Sequence, residues 1–326
     1  MASSITLLEL TSSHLPAPVP YAVLTPENVG PLPLCLLLLG AGGTRDNLAD
    51  LQPMFEGWWD EGVVPPLIVA VPSPGTDYYL EDSAGTVRWD SFLAADLIPA
   101  VREAFKTNEV TILAGISGGG YGALKLAFAR PEMFAAVAAM QPMLEPGLRV
   151  ADVGARNRLH HIAGGPPQLV GPERDAALWE ANNPAHRARA NAPAIRDSGM
   201  AIFVEAADHD FLNAHDGAEF LHRTLWELDL AHEYHLVREA DHGGPTMRPR
   251  LRAMFAWLGE VLRPPLANAA LEQAATEWLQ SGMRSKPPAG ATTTQAFINF
   301  MRAQFVPLRA KAAESDASVK RRYGVL

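Results

Sequence analysis

Gly115, Ile116, Ser117, Gly118 and Gly119 spell G-x-S-x-G within a chain of 326 residues. A serine hydroxyl becomes a useful nucleophile once a neighbouring base takes its proton and a carboxylate holds that base in the right tautomer. The same pattern suits an ordinary Gly/Ser-rich turn, so the surroundings decide what it means. Val110, Ile112 and Leu113 precede it as a β-branched apolar run, and a helical stretch of small residues follows and stops before Pro131. Strand, tight turn and helix in that order lift a serine out of a sheet toward a carbonyl carbon. The glycines beside Ser117 permit a strained turn. The helix behind it would aim its first N–H groups at the oxygen that becomes negative.

Partners for the serine are sought in the order serine, acid, histidine, each in a loop after a later strand. A strand expected over Met200–Glu205 runs into AADHDFLNAH, which carries Asp208 and Asp210. A second strand, expected over Glu233–Val237, runs into READHGGPT, which carries His242. Both loops lie where the carboxyl ends of parallel strands place ligands. The other histidines (among them His160, His161, His186, His222, His232 and His235) suit solvated or core positions better. His209, Asp210, His215 and Asp216 have the donor types of a zinc or iron site. No H-E-x-x-H or cysteine pair accompanies them, and Asp216 fits a helix start, so no metal is expected. Gly40, Ala41, Gly42 and Gly43 follow the apolar run Leu34–Leu39. The Ala41 and Gly118 N–H groups are the expected pair of donors to an oxyanion. No G-K-[ST] follows those glycines, which argues against a phosphate loop.

Positioning these groups takes an alternation of strands and helices. Short strands are expected over residues 5–10 and 19–24, and buried strands over Leu34–Leu39, Leu67–Val71 and Ala135–Met140. Helices are expected over Leu48–Gly62, Ser91–Phe105, Asp216–Leu228 and Pro249–Leu262. The alternation predicts an α/β fold: a mostly parallel central sheet with helices on both faces. Residues 142–199, rich in Pro, Gly, Arg and His, read as a cap or insertion in a catalytic domain spanning 1–264. Beyond Arg263-Pro264-Pro265 no strand pattern remains, and residues 265–326 read as a C-terminal helical extension with helices over Ala267–Leu279 and Thr293–Ala313. Leu271, Trp278, Leu279, Phe297, Phe300 and Phe305 would be costly to expose together, so this extension is expected to pack on the cap or to join subunits of a homo-oligomer.

Composition bounds the partners. Hydrophobic residues make up 48% and charged residues 19%, in the range of a globular protein with a sizeable core. A net charge of −9, without a basic patch interleaved with aromatics, argues against nucleic acid. The one cysteine, Cys35, lies within LPLCLLLL and reads as a buried core thiol. No secretory leader or membrane span is evident, which makes a cytoplasmic location the expectation.

LLLLGAGGTRDNL, DYYLEDSAGTVRWDSFLAADLIPAV, GISGGGYGALKLAFARPEMFAAVAAMQP, AADHDFLNAHDGAEFLHRTLWE and HEYHLVREADHGG follow one another between about residues 20 and 262. In these stretches the chain resembles the esterase D-like family of α/β-hydrolases, which includes S-formylglutathione hydrolases, tributyrin esterases and antigen 85 mycolyltransferases. The resemblance implies Ser117 as nucleophile, His242 as base and Asp210 as acid, with the Ala41 and Gly118 N–H groups as oxyanion donors. It implies a small-molecule carboxylic ester as substrate, an acyl-enzyme intermediate and no cofactor. An acyltransferase with the same residues, or a binding protein on a hydrolase fold, are the alternatives. Departures from the family's pattern are Gly118 where methionine often follows the serine, Gly243 and Gly244 where an aromatic often follows the histidine, and the C-terminal extension. The cysteine pattern of formylglutathione hydrolases near Gly43 is absent.

Asp210 is preferred over Asp208 because strands of this fold commonly deliver the acid as G-x-x-D, with Ala207 here in the glycine's place. Asp208 is then expected to be a loop-surface or turn-capping residue, and Phe211 and Leu212 to bury against the following helix. Asp241 is too close to His242 in sequence for its side chain to turn back on it.

Overall fold

The computed structural model describes residues 1–27, 29–75, 79–158, 176–263, 269–282 and 284. Eight strands form one sheet: β1 Ser3–Leu10, β2 Val19–Pro26, β3 Leu32–Leu38, β4 Ile68–Pro72, β5 Thr107–Ile116, β6 Ala136–Met140, β7 Ala201–Ala207 and β8 Glu233–Val237. Their order across the sheet is β1-β2-β4-β3-β5-β6-β7-β8. β2 runs antiparallel to β1 and β4, and every pairing from β4 through β3 to β8 is parallel. This is the α/β-hydrolase arrangement.

Side chains alternate across the strands and so seed two cores. Leu34, Leu36, Leu38, Leu113, Val137 and Val204 face one side of the sheet. They pack there under the helical run α2 (Trp89–Ser91, a π-helical Phe92–Leu97, then Ile98–Ala104) and under α3 Gly118–Ala129. Cys35, Leu37, Ile112, Ala114, Ala138 and Phe203 face the other side, under α1 Asn47–Asp60 and the helix Met247–Leu262. That second core is closed by aromatic edges and faces: Phe55 meets Phe255 at 4.9 Å and Trp58 stacks on Phe255 at 5.1 Å between ring centroids. Cys35 is fully buried there, and burial pushes its thiol pKa up, out of reach of thiolate chemistry.

The stretch 142–199 departs from expectation. Two helices occupy its second half, α4 Ala176–Asn182 and α5 Pro184–Ser198. α5 is the crossover between β6 and β7, with Ala185, Ala188, Ala192 and Ile195 buried in the same core as α3. Its apolar face is almost all alanine, which is why no hydrophobic period announces it. Its ends do carry the expected punctuation: Asn183 caps the Ala185 and His186 N–H groups, Pro184 takes the first helical position, and Gly199 closes the helix with φ +68°. His186 is tied to the Leu148 carbonyl at 2.6 Å. His160 and His161 lie outside the described residues.

Two more helices are described before Arg263: α6 Ala214–Glu227 follows β7, and Met247–Leu262, hereafter α7, follows β8. The chain divides into two compact units, Met1–Arg263 and Pro264–Leu326. Within the second unit the described helix is α8 Ala269–Gln280. The helix expected over Thr293–Ala313, with Phe297, Phe300 and Phe305, falls outside the described residues. Among the described residues no helix is long and apolar enough to cross a membrane.

Candidate active site

Ser117 stands between the end of β5 and the start of α3 with φ 56° and ψ −121°, a conformation that non-glycine residues rarely adopt. The strain sits on the serine itself, and the glycines around it serve close packing instead. A Cβ on Gly115 would lie 2.3 Å from the Gly119 carbonyl oxygen, and one on Gly119 would lie 2.0 Å from that of Leu38. Backbone bonds lock the turn: Ser117 N–H donates to the Met140 carbonyl at 3.0 Å, and the Ser117 carbonyl accepts from Met143 N–H at 3.2 Å.

From the far side of the sheet β7 and β8 deliver the partners. His242 Nδ1 lies 2.7 Å from Asp210 Oδ2, and its Nε2 lies 2.9 Å from Ser117 Oγ. A carboxylate only accepts, so Nδ1 carries the proton and the Nε2 lone pair faces the serine hydroxyl. Asp210 is fully buried at its side chain, and its other oxygen accepts from Leu212 N–H at 2.8 Å. The arrangement can take a proton from Ser117 and hand it to a departing group, with the resulting imidazolium facing a buried carboxylate.

Asp208 ties loop to loop, accepting from Ala240 N–H at 3.2 Å. Asp241 accepts from Phe211 N–H at 3.0 Å and His242 N–H at 2.6 Å, and these bonds hold its carboxyl below the usual carboxylate range. Phe211 corrects the expectation of burial: it is 68% exposed and sets its ring edge-on to His242, 5.9 Å between centroids. The groups weighed as metal donors diverge. Asp210 is taken up by His242, while Asp216 and His215 face the Arg156 guanidinium at 2.8 Å and 3.0 Å.

Gly40 is in contact with the serine, since a Cβ there would come within 2.8 Å of Ser117 Cβ. Ala41 follows it on the exposed loop after β3. Gly118 opens α3, so its N–H has no acceptor within the helix.

Sequence reasoning missed a set of buried polar residues behind these loops. Arg250 on α7 and Glu205 on β7 are each 4% exposed at the side chain and paired at 2.8 Å, with Gln141 beside them. Burial pushes the Glu205 carboxyl above its ordinary range, and the Arg250 guanidinium pulls it back. Lys125 on α3 is fully buried and bridges Glu81 and Asp90, both at 3.0 Å. Asp90 in turn pairs with Arg187 of α5 at 3.1 Å. The available signal was a lone polar residue inside an apolar run: Lys125 in GALKLAFA, Glu205 in AIFVEAA, Gln141 after AAVAAM.

Among solved structures, a ferulic acid esterase aligns with a TM-score of 0.62 at 19% identity over 79% of this chain and 98% of its own. The S-formylglutathione hydrolase of Agrobacterium tumefaciens aligns at 0.62 and 16% identity, over 80% of this chain and 96% of that one. MPT51 of Mycobacterium tuberculosis aligns at 0.62 and 17% identity, over 80% and 99%. At such identities the likeness speaks for the fold. Comparison with curated proteins finds no match. Residues 12–258 match the family described as Putative esterase, most of the unit Met1–Arg263. The chain belongs to that esterase family, and it is a carboxylic ester hydrolase.

Proposed function

We propose that Ser117, His242 and Asp210 form a Ser-His-Asp triad that cleaves a small-molecule carboxylic ester through an acyl-enzyme. The observation that carries this reading is the imidazole of His242, bonded on one nitrogen to a buried carboxylate and on the other to the strained serine. Ser117 Oγ attacks the ester carbonyl carbon as His242 Nε2 takes its proton. The same proton then goes to the departing alkoxide, and the acyl group stays on Ser117. Water enters, His242 removes its proton, and the acid leaves with Ser117 restored. The N–H groups of Ala41 and Gly118 would receive the oxyanion of each tetrahedral intermediate, each donor worth about 3 kcal/mol in sites of this kind. Gly118 in place of a larger residue leaves that corner open to substrate. The cycle uses side chains, two backbone N–H groups and water.

A fluorophosphonate probe tests it, because only an activated serine reacts. Mass increase on a peptide containing Ser117, lost in Ser117→Ala and accompanied by loss of ester turnover, is the expected result. Labelling elsewhere, with Ser117→Ala still turning over ester, would overturn the assignment.

A further inference from the structure

We propose that Arg250 is a positioning residue for His242: together with Gln141 and Glu205 it clamps the carbonyls of Asp241 and His242 and so fixes the imidazole between Asp210 and Ser117. The inference rests on the triad reading and deepens it. The imidazole has to satisfy bonds of 2.7 Å and 2.9 Å at once, so the backbone that carries it must be held still. Apolar packing contributes little beyond Ala240, which is buried, and the exposed Phe211 ring edge-on to the imidazole. From Asp241 to Thr246 the loop is exposed or half-buried, and a Cβ on Gly243 would find nothing within 4 Å.

Polar bonds from beneath take that place. Arg250 Nη1 donates to the Asp241 carbonyl at 2.6 Å, and Gln141 Nε2 donates to the His242 carbonyl. Two consecutive carbonyls are thereby pinned on either side of the His242 Cα. The remaining guanidinium edge forms a fork on Glu205, from Nε at 3.1 and 3.2 Å and from Nη2 at 2.8 Å. Nη2 also donates to Gln141 Oε1 at 2.5 Å. That last bond decides which way the Gln141 amide faces. With its oxygen taken by a cation, its NH₂ must turn to the His242 carbonyl.

Gln141 is also linked to the serine turn through its chain neighbours. It sits just past β6 with φ 40° and donates its own N–H to the Glu205 carbonyl at 2.6 Å. Its neighbours Met140 and Met143 hold the Ser117 backbone. One residue between β5 and β7 therefore links the serine turn to the histidine loop, and Arg250 sets its orientation. A buried ion pair is a poor means of stabilising a fold compared with apolar packing, and its best attested use is to specify one arrangement. Here the arrangement specified is the loop that carries the base.

The test must separate positioning from stability, because Arg250→Met alone strands Glu205 as a buried charge. Two full-length variants do so. Arg250→Met/Glu205→Gln removes the pair together, and Gln141→Asn keeps a residue type that tolerates positive φ but shortens the amide out of reach of His242. Thermal midpoint, kcat, KM on a short-chain p-nitrophenyl ester and the rate of fluorophosphonate labelling are measured for each. Positioning predicts folded proteins with kcat and labelling rate both lowered about 10- to 100-fold and KM little changed. A folded double variant with wild-type kcat overturns the proposal. If the double variant does not fold, wild-type kcat in Gln141→Asn overturns it equally. Ser117→Ala run alongside separates the two levels: turnover surviving in that variant removes the triad reading, whereas a dead Ser117→Ala beside fully active clamp variants removes the clamp alone.

Discussion

The serine turn and the histidine loop meet at one hydrogen bond, yet they are built by opposite means. Around Ser117 the chain is held by backbone against backbone: glycines at 115 and 119 let β3, β5 and α3 approach to distances that exclude a methyl group. Around His242 there is space for side chains, and the loop is held by Asp208, Gln141 and Arg250 donating to or accepting from its backbone. On the proposed mechanism Ser117 as nucleophile must be strained and immobile, which close packing achieves. On the same mechanism His242 as base changes charge during the cycle and needs an environment of dipoles and ions that can answer it. The difference implies different vulnerabilities: the turn to added volume, the loop to lost polarity.

Removing the reacting atom is the largest perturbation. Ser117→Ala is expected to lower kcat by about 10⁶-fold, the scale on which triads fail as units, while the thermal midpoint stays near wild type, since one hydroxyl leaves a turn made by glycine packing. Loss of the fold in this variant would mean that the serine side depends on polarity after all. Next comes the acid. Asp210→Asn is expected to cut kcat by about 10⁴-fold through the wrong histidine tautomer, with KM little changed, whereas Asp208→Asn, whose carboxylate accepts from the Ala240 N–H and lies 3.9 Å from His209 Nδ1, should cost far less. Steady-state kinetics on both variants decide it, and the reverse ranking would move the acid to Asp208 while leaving Ser117 and His242 in place.

Methyl groups sharpen the contrast at lower energy. Gly119→Ala drives a Cβ to within 2.0 Å of the Leu38 carbonyl oxygen. Overpacking of this kind costs about 1–3 kcal/mol, more where backbone is struck. Gly243→Ala, one residue past His242, meets nothing within 4 Å and lacks positive φ. It should stay within about 0.5 kcal/mol of wild type. Chemical denaturation of the pair measures both, and equal destabilisation would erase the distinction drawn between turn and loop.

The same distinction explains what the sequence makes legible. The elbow is a local object: strand, glycines, serine and helix fall within Thr107–Ala129, and the β/α alternation predicts the sheet from short windows. Asp210 and His242 stand out in the sequence because each follows a strand in the order expected, and in the fold the His242 imidazole lies between Asp210 and Ser117. The clamp is not local. Gln141 reaches His242 across 101 residues, and Arg250 reaches Gln141 across 109. From sequence, Arg250 is simply a charge near the start of a helix. α5 stays hidden for another reason: alanine closes its face against α3, and alanine carries little hydrophobic signal. Phe211 is misread because an aromatic next to a buried acid suggests burial, while the chain turns it outward over His242.

The smallest effect follows from titration, and it should appear on the histidine side of the sheet and not in the serine turn. His222 on α6 and His232 before β8 face each other, Nδ1 to Nε2 at 2.7 Å, with Tyr234 stacked on His222 at 4.6 Å. His232 Nδ1 lies 2.8 Å from the Leu230 carbonyl, which can only accept, so that nitrogen carries the proton. His232 Nε2 is then the acceptor, and His222 Nδ1–H the donor. A second proton on His232 would set N–H against N–H. Burial, and for His222 also the neighbouring imidazole, hold both below the ordinary histidine value. The unfolded chain therefore binds more protons than the folded one between those depressed values and about 6.5. Stability from the pair is fully present above about pH 6.5 and is lost as pH falls below it. The thermal midpoint should drop as pH is lowered from about 7 to 5.5, and His232→Gln, which cannot take the second proton, should flatten that slope. Parallel midpoint-versus-pH curves for the two proteins would show that the pair does not couple to folding.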